Sequence, residues 1–268
     1  MDTSFKNILV PVDGSSQSMV AFKSAVFFAQ KYGSELTAVH IEESSDEEGL
    51  KSKLEPHSSG IKYNYLHKRG SVFKGILSAA EEIDANLIIM GTHGVTGFQE
   101  FWMGSNAYKV VSSSKCPVLT MREGGTTNDF KTIVLPIDTS FESRQKVPFA
   151  LSLAKKFGAT IHVLGVSVDK DKETEYQVAA YCRQVLHTFD DENIPYIHEK
   201  RLGGNITLIT EEYAKSVNAD IILIMTEQEP QIGSFFLGKF AQQMINHSNI
   251  PVMSIAPRED LMISEAKL

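Results

Sequence analysis

The sequence predicts an α/β protein made of two tandem doubly wound domains, each with a five-stranded parallel sheet flanked by helices. Three observations predict it. Short apolar runs alternate with helix-length segments along the whole chain. The runs are apolar on both faces, as parallel strands covered from both sides must be. The pattern is also written twice. Lys6-Asn-Ile-Leu-Val-Pro-Val-Asp-Gly-Ser15 returns 125 positions later as Lys131-Thr-Ile-Val-Leu-Pro-Ile-Asp-Thr-Ser140, and the same offset carries Ala29, Lys31 and Gly33 onto Ala154, Lys156 and Gly158. Further on the offset is 134, taking Gly70 to Gly204, Ala85 to Ala219, Gly104 to Gly238 and Pro117-Val118 to Pro251-Val252. The second copy therefore holds nine extra residues between Gly158 and Gly204. Residues 1–122 and 131–268 are expected to be the two domains. The polar Gly/Thr-rich stretch 123–130 is their linker.

Each element of the first copy has a local reason. Ile8 to Val12 is a short apolar run, broken by Gly14, after which Ser15 or Ser16 can cap a helix. Residues 16–32 set Met19, Val20, Ala25, Val26, Phe27 and Ala29 on a broad apolar face, and Gly33 ends it. Strands follow at 36–41, 61–66 and 87–90, with helices at 71–84 and near 104–113. Pro117 opens a last strand, 118–121, since proline is tolerated at a strand start. The acidic, serine-rich stretch 42–59 reads as a mobile loop with at most a short helix. The second copy repeats the scheme, with strands near 132–137, 160–166, 196–200, 220–226 and 251–255. Its extra residues are expected to build an amphipathic helix over 171–190.

Composition narrows the function. The chain has 268 residues, 42% of them hydrophobic, with 33 acids against 26 bases and a net charge of −7. That excess of acid disfavours a nucleic-acid binder, which normally carries a basic face. Two cysteines, Cys116 and Cys182, cannot form a disulfide framework or a thiolate metal site. The opening MDTSFKN is acidic where a leader would be basic, and no apolar run reaches the ~18 residues of a membrane span. These features point to a cytoplasmic protein that binds neither nucleic acid nor membrane.

The sharpest local signal follows the fourth strand. Met90-Gly91-Thr92-His93-Gly94 leads, across a nine-residue spacer, to Gly104-Ser105-Asn106 at a helix start. Glycines at a strand's carboxyl end let main-chain amides approach an anion, and a helix N-terminus adds unpaired N–H groups and a favourable dipole. Ser105 can cap the helix, donate to a phosphate, or both. The same glycines equally serve close strand–helix packing. Asp13 stands at the end of the first strand, where open parallel sheets bind ligands. Its carboxylate suits a ribose diol or, through water, a divalent cation; it suits a helix cap as well, and Asp138 repeats it. His93 can touch a phosphate, act as an acid, or simply face water. Trp102 and Phe98 flank the spacer, as a cover for a ligand or a contact for a partner. Gly233 to Lys239 almost spells a phosphate-binding P-loop, but Phe240 stands where a magnesium-holding Ser or Thr is required.

On these motifs the chain resembles a tandem universal stress protein, over about 2–122 and 130–257. Gly91, Gly94, Gly104 and Ser105 match the Gly-x2-Gly-x9-Gly-(Ser/Thr) pattern of the family's ATP-binding members, and Asp13 matches its ribose-contacting aspartate beside Pro11 and Val12. The resemblance implies the strand order 3-2-1-4-5, adenine near Val39 and His40, and dimers made by pairing fifth strands. Here that pairing would be internal, a pseudo-dimer of 118–121 against 251–255. It further implies ATP, with magnesium or manganese, held at Pro11, Val12, Asp13, Val39, Met90, Gly91, His93, Gly94, Gly104, Ser105 and Asn106. The second copy departs from the pattern, with Met225, Gln228 and Lys239 in place of Gly91, Gly94 and Ser105, so its site is expected to have lost ATP. No general base or arginine clamp converges on the glycine loop. The expected activity is therefore that of a conformational ATP switch in stress signalling, with at most weak hydrolysis or autophosphorylation, acting as a homo-oligomer or through a protein partner. A nucleotidyl or phosphoryl transferase and an empty dimerising scaffold are the alternatives.

Overall fold

The computed structural model describes residues 3–41, 47–92, 103–122, 129–226, 228–231 and 234–257. The first half runs β1 (Asn7–Pro11), α1 (Ser16–Tyr32), β2 (Glu35–Ile41), α2 (Glu47–Leu54), β3 (Asn64–Lys68), α3 (Val72–Glu82), β4 (Leu87–Gly91), α4 (Ser105–Ser113) and β5 (Val118–Met121). The second half runs β6 (Thr132–Ile137), α5 (Val147–Phe157), β7 (Thr160–Ser167), α6 (Lys172–Asp191), β8 (Tyr196–Leu202), α7 (Ile206–Ser216), β9 (Ile221–Met225), β10 (Gln228–Gln231), β11 (Ser234–Leu237), α8 (Lys239–His247) and β12 (Val252–Ile255).

Ten strands form one sheet, ordered β3-β2-β1-β4-β5-β12-β9-β6-β7-β8. Each half thus has the order 3-2-1-4-5, and the two fifth strands meet antiparallel at the centre, Val252 opposite Thr120 and Ser254 opposite Val118. Every other pairing in the sheet is parallel. Alternation along the strands sends Ile8, Val10 and Val12 to one face with α1, α2, α5 and α6, and Leu9 to the other with α3, α4, α7 and α8. Both apolar layers run without interruption across the central seam. Aromatic rings bridge it: Phe28 lies 4.9 Å from Phe130, and Phe5 stacks on Phe149 at 6.1 Å.

The repeat shows in how helices end and begin. Gly33 and Gly158 close α1 and α5 in the left-handed conformation, at φ 73° and 63°, which costs glycine nothing. Ser15 caps α1, its Oγ accepting from the Ser18 amide. The second copy differs here. A 3-10 turn, Glu142–Arg144, precedes α5, which starts only at Val147.

Three expectations are corrected or refined. The third strand begins at Asn64 rather than Ile61, because Ile61 leaves a turn closed by its N–H to Ser58 O. Ile61 and Tyr63 are apolar because they cover the core, Tyr63 meeting the Phe22 ring edge-on at 5.3 Å. Within 42–59, read as a mobile loop with at most a short helix, the short helix is α2; a 3-10 turn extends it to His57, and buried Leu50 and Leu54 hold it to the core. The hairpin β10–β11 has no counterpart in the sequence reading, and it puts Ser234–Leu237 of the P-loop-like segment into a strand.

Candidate functional site

From β1 the sheet grows to β2 on one side and to β4 on the other. Chains leaving two such neighbours go to opposite faces, here α1 and α4, and the divergence opens a crevice beyond the carboxyl ends of β1 and β4. Most residues singled out from the sequence lie along this edge. Pro11 ends β1 beside Val39, Val12 N–H donates to Val39 O at 2.9 Å, and Gly91 ends β4 beside Met121. His93 and Gly94, like Phe98 and Trp102, lie outside the described residues.

Asp13 is partly buried, and its Oδ1 accepts from the Ser15 amide at 3.0 Å and the Ser15 hydroxyl at 2.6 Å. Ser15 Oγ in turn caps α1. Asp138 makes the same contacts with Ser140, at 2.7 and 2.5 Å. The same aspartate–serine turn thus leads into α1 in the first copy and into the 3-10 turn in the second.

Gly91 has an equally direct structural reason. A Cβ there would stand 3.0 Å from Gln17 Cβ and 3.2 Å from its main-chain carbon, so α1 can lie against β4 only because the side chain is missing. The adjoining Thr92 hydroxyl donates to Gln17 Oε1 at 3.2 Å. In the second half the equivalent Met225 is buried, and the position matching Gln17, Glu142, lies in the 3-10 turn rather than a helix.

The amides expected to face an anion divide into two sets. Thr92 N–H donates to Met121 O at 3.1 Å and Gly104 N–H to Thr92 O at 2.8 Å, so neither is open to a ligand. Gly104, not Ser105, is the N-cap of α4, at ψ 146°, and no side chain among the described residues caps the helix. Ser105 and Asn106 are exposed in the first turn. Their amides carry the positive end of the helix dipole. Val12, Val39 and Met90 are buried at 3%, 0% and 6% exposure, whereas Pro11 and Asp13 are partly buried and Ser105 and Asn106 exposed.

His40 is also buried, with Nδ1 2.8 Å from Val12 O. A carbonyl only accepts, so Nδ1 bears the proton. The ring stacks on His67, its β3 neighbour, at 5.8 Å. Among the described residues no three His, Cys, Asp or Glu are grouped to hold a metal ion, and no helix is long and apolar enough to cross a membrane.

Gln17 escaped the sequence reading because nothing local marks it; only the approach of α1 to Gly91 gives it a role. Asn246 and Tyr108 were missed for a similar reason, since their contacts span 143 and 129 positions of chain.

Residues 4–59, 42–122 and 129–255 match the universal stress protein family. The chain belongs to that family. Universal stress protein YxiE of Bacillus subtilis is 30% identical over 147 residues, spanning 44% of this chain but 99% of its own length. A universal stress protein of Thermus aquaticus is 34% identical over 136 residues, again 44% of this chain and 99% of the relative. Each such relative therefore corresponds to less than half of this chain. A universal stress protein structure from Archaeoglobus fulgidus covers 95% of the chain, and the chain 97% of it, at a TM-score of 0.74 and 21% identity, a likeness of fold.

Proposed function

We propose that the first half binds an adenine nucleotide, ATP in particular, as a conformational ligand in stress signalling. One observation carries the reading: the N-terminus of α4, which no side chain among the described residues caps, stands beside the crevice between β1 and β4. Its exposed first turn can receive the phosphates through the Ser105 and Asn106 amides and the Ser105 hydroxyl. Asp13 borders the same edge, where a carboxylate suits the hydroxyls of a ribose. A magnesium or manganese ion would come with the triphosphate, because Asp13 is one carboxylate and not a ligand cluster. Membership of the universal stress protein family supports the same reading.

The second half has Met225 in place of Gly91, and its helix α8 opens on Lys239. It serves as the internal partner of the first half rather than as a second ATP site. Nucleotide bound at this edge would change a surface that another protein reads. Calorimetric titration of the full chain with ATP, alongside mass spectrometry of ligand released on denaturation, tests this. One nucleotide per chain is expected. No binding, or two equivalent sites, overturns it, and the former would favour a dimerising scaffold.

A further inference from the structure

The two halves hold each other at matching places. The Met103 amide donates to Asn246 Oδ1 of α8 at 2.7 Å, and the Leu237 amide donates to the Tyr108 hydroxyl of α4 at 3.2 Å. Met103 and Leu237 each stand one residue before a capping glycine, Gly104 of α4 and Gly238 of α8. So the lead-in to each of these helices is fastened by a side chain of the other helix.

Asn246 does more than Tyr108. Its main-chain oxygen also accepts from the Arg122 guanidinium, just beyond β5. It is 4% exposed, so water cannot replace its side-chain oxygen cheaply. On the first-half side, successive amides are tied in two directions: Met103 to Asn246, and Gly104 to Thr92 O. Together these fix where the first turn of α4 points.

We infer that Asn246, on the second half, is a positioning residue for nucleotide binding by the first half. The inference rests on the nucleotide reading above and adds to it that the site is incomplete without the other half. Removing the side-chain oxygen leaves the Met103 amide without this bond in a partly buried seam, and the first turn of α4 loses one of its two anchors.

The test compares Asn246→Leu, which keeps the bulk and removes the acceptor, with Asn246→Asp, which keeps the acceptor. The full chain is titrated with ATP and with AMP, and amide exchange is followed by mass spectrometry. N246L is expected to bind about tenfold more weakly, the effect of one unmade buried hydrogen bond, and N246D to stay near wild type. Exchange over 103–107 should quicken in N246L while β1 and β4 keep wild-type protection. If N246L does not fold, N246A removes the same acceptor by truncation, without placing a branched apolar side chain in the seam. Wild-type affinity in N246L, equal weakening in N246L and N246D, or unchanged exchange over 103–107 overturns the inference while nucleotide binding itself stands. If the wild-type chain binds neither ATP nor AMP, the nucleotide reading is the one that fails. Exchange then decides whether Asn246 orients α4 at all.

Discussion

Lys146 offers the most quantitative check on the structure. It occupies the position that Ala21 holds in the first copy, and it is only 2% exposed. Its Nζ donates to Ser143 O at 2.5 Å. Burial lowers its amine from 10.5 to about 8, with Asp138 and Cys182 opposing the effect. At ~1.4 kcal/mol per pH unit of displacement, a charged Lys146 costs the folded protein about 3 kcal/mol. Below about pH 8 the amine is protonated in folded and unfolded chains alike, and the whole cost is present. Between about 8 and 10.5 the folded protein releases its proton first, the unfolded chain binds more protons, and stability rises with pH.

Lys146→Met keeps the unbranched stem and removes the charge, at the loss of one hydrogen bond of ~1 kcal/mol. The variant should therefore be more stable at pH 7 by about 2 kcal/mol, and the advantage should vanish near pH 10. Urea denaturation at both pH values measures it. Burial pushes the Cys182 thiol up to about 11 and the Tyr32 hydroxyl to about 12. Their ionisation lowers stability at high pH in both proteins, so the quantity to read is the difference between them. A K146M protein less stable at pH 7, or a difference that ignores pH, would refute the reasoning.

Other predictions follow from packing. Gly91→Ala drives a Cβ to within 3.0–3.3 Å of Gln17, backbone included. It should lower stability by about 1–3 kcal/mol in urea, as overpacked core sites do. Phe28→Ala removes a fully buried ring that bridges to Phe130 and Phe157. A loss of about 3–5 kcal/mol is expected by the same assay, felt by both halves because the ring is shared between them. If only the first half loosens in amide exchange, the aromatic bridge does not couple them.

Much of the fold was legible because its causes are local. Gly33 and Gly158 end helices through their own backbone freedom, Ser15 caps through its own hydroxyl, and Leu87 to Met90 is apolar on both faces. Duplication made those cues visible twice. Ambiguity fell where one local pattern has two tertiary uses. Ile61 and Tyr63 look like strand residues and are core cover. Gly91 looks like a phosphate-binding glycine and is also the gap into which α1 fits.

For the candidate site, the chain itself determined which residue types gather after β1 and β4, since strand ends and a helix start are set by neighbours in sequence. Only the assembled sheet decided which groups are left to meet a ligand. It spent the Thr92 and Gly104 amides on main-chain bonds, buried Val12, Val39 and Met90, and left Ser105 and Asn106 exposed. The antiparallel meeting of β5 and β12 then brought Asn246 to Met103 across 143 residues of chain. A hydrogen bond depends on separation in space, and a sequence records separation only along the chain.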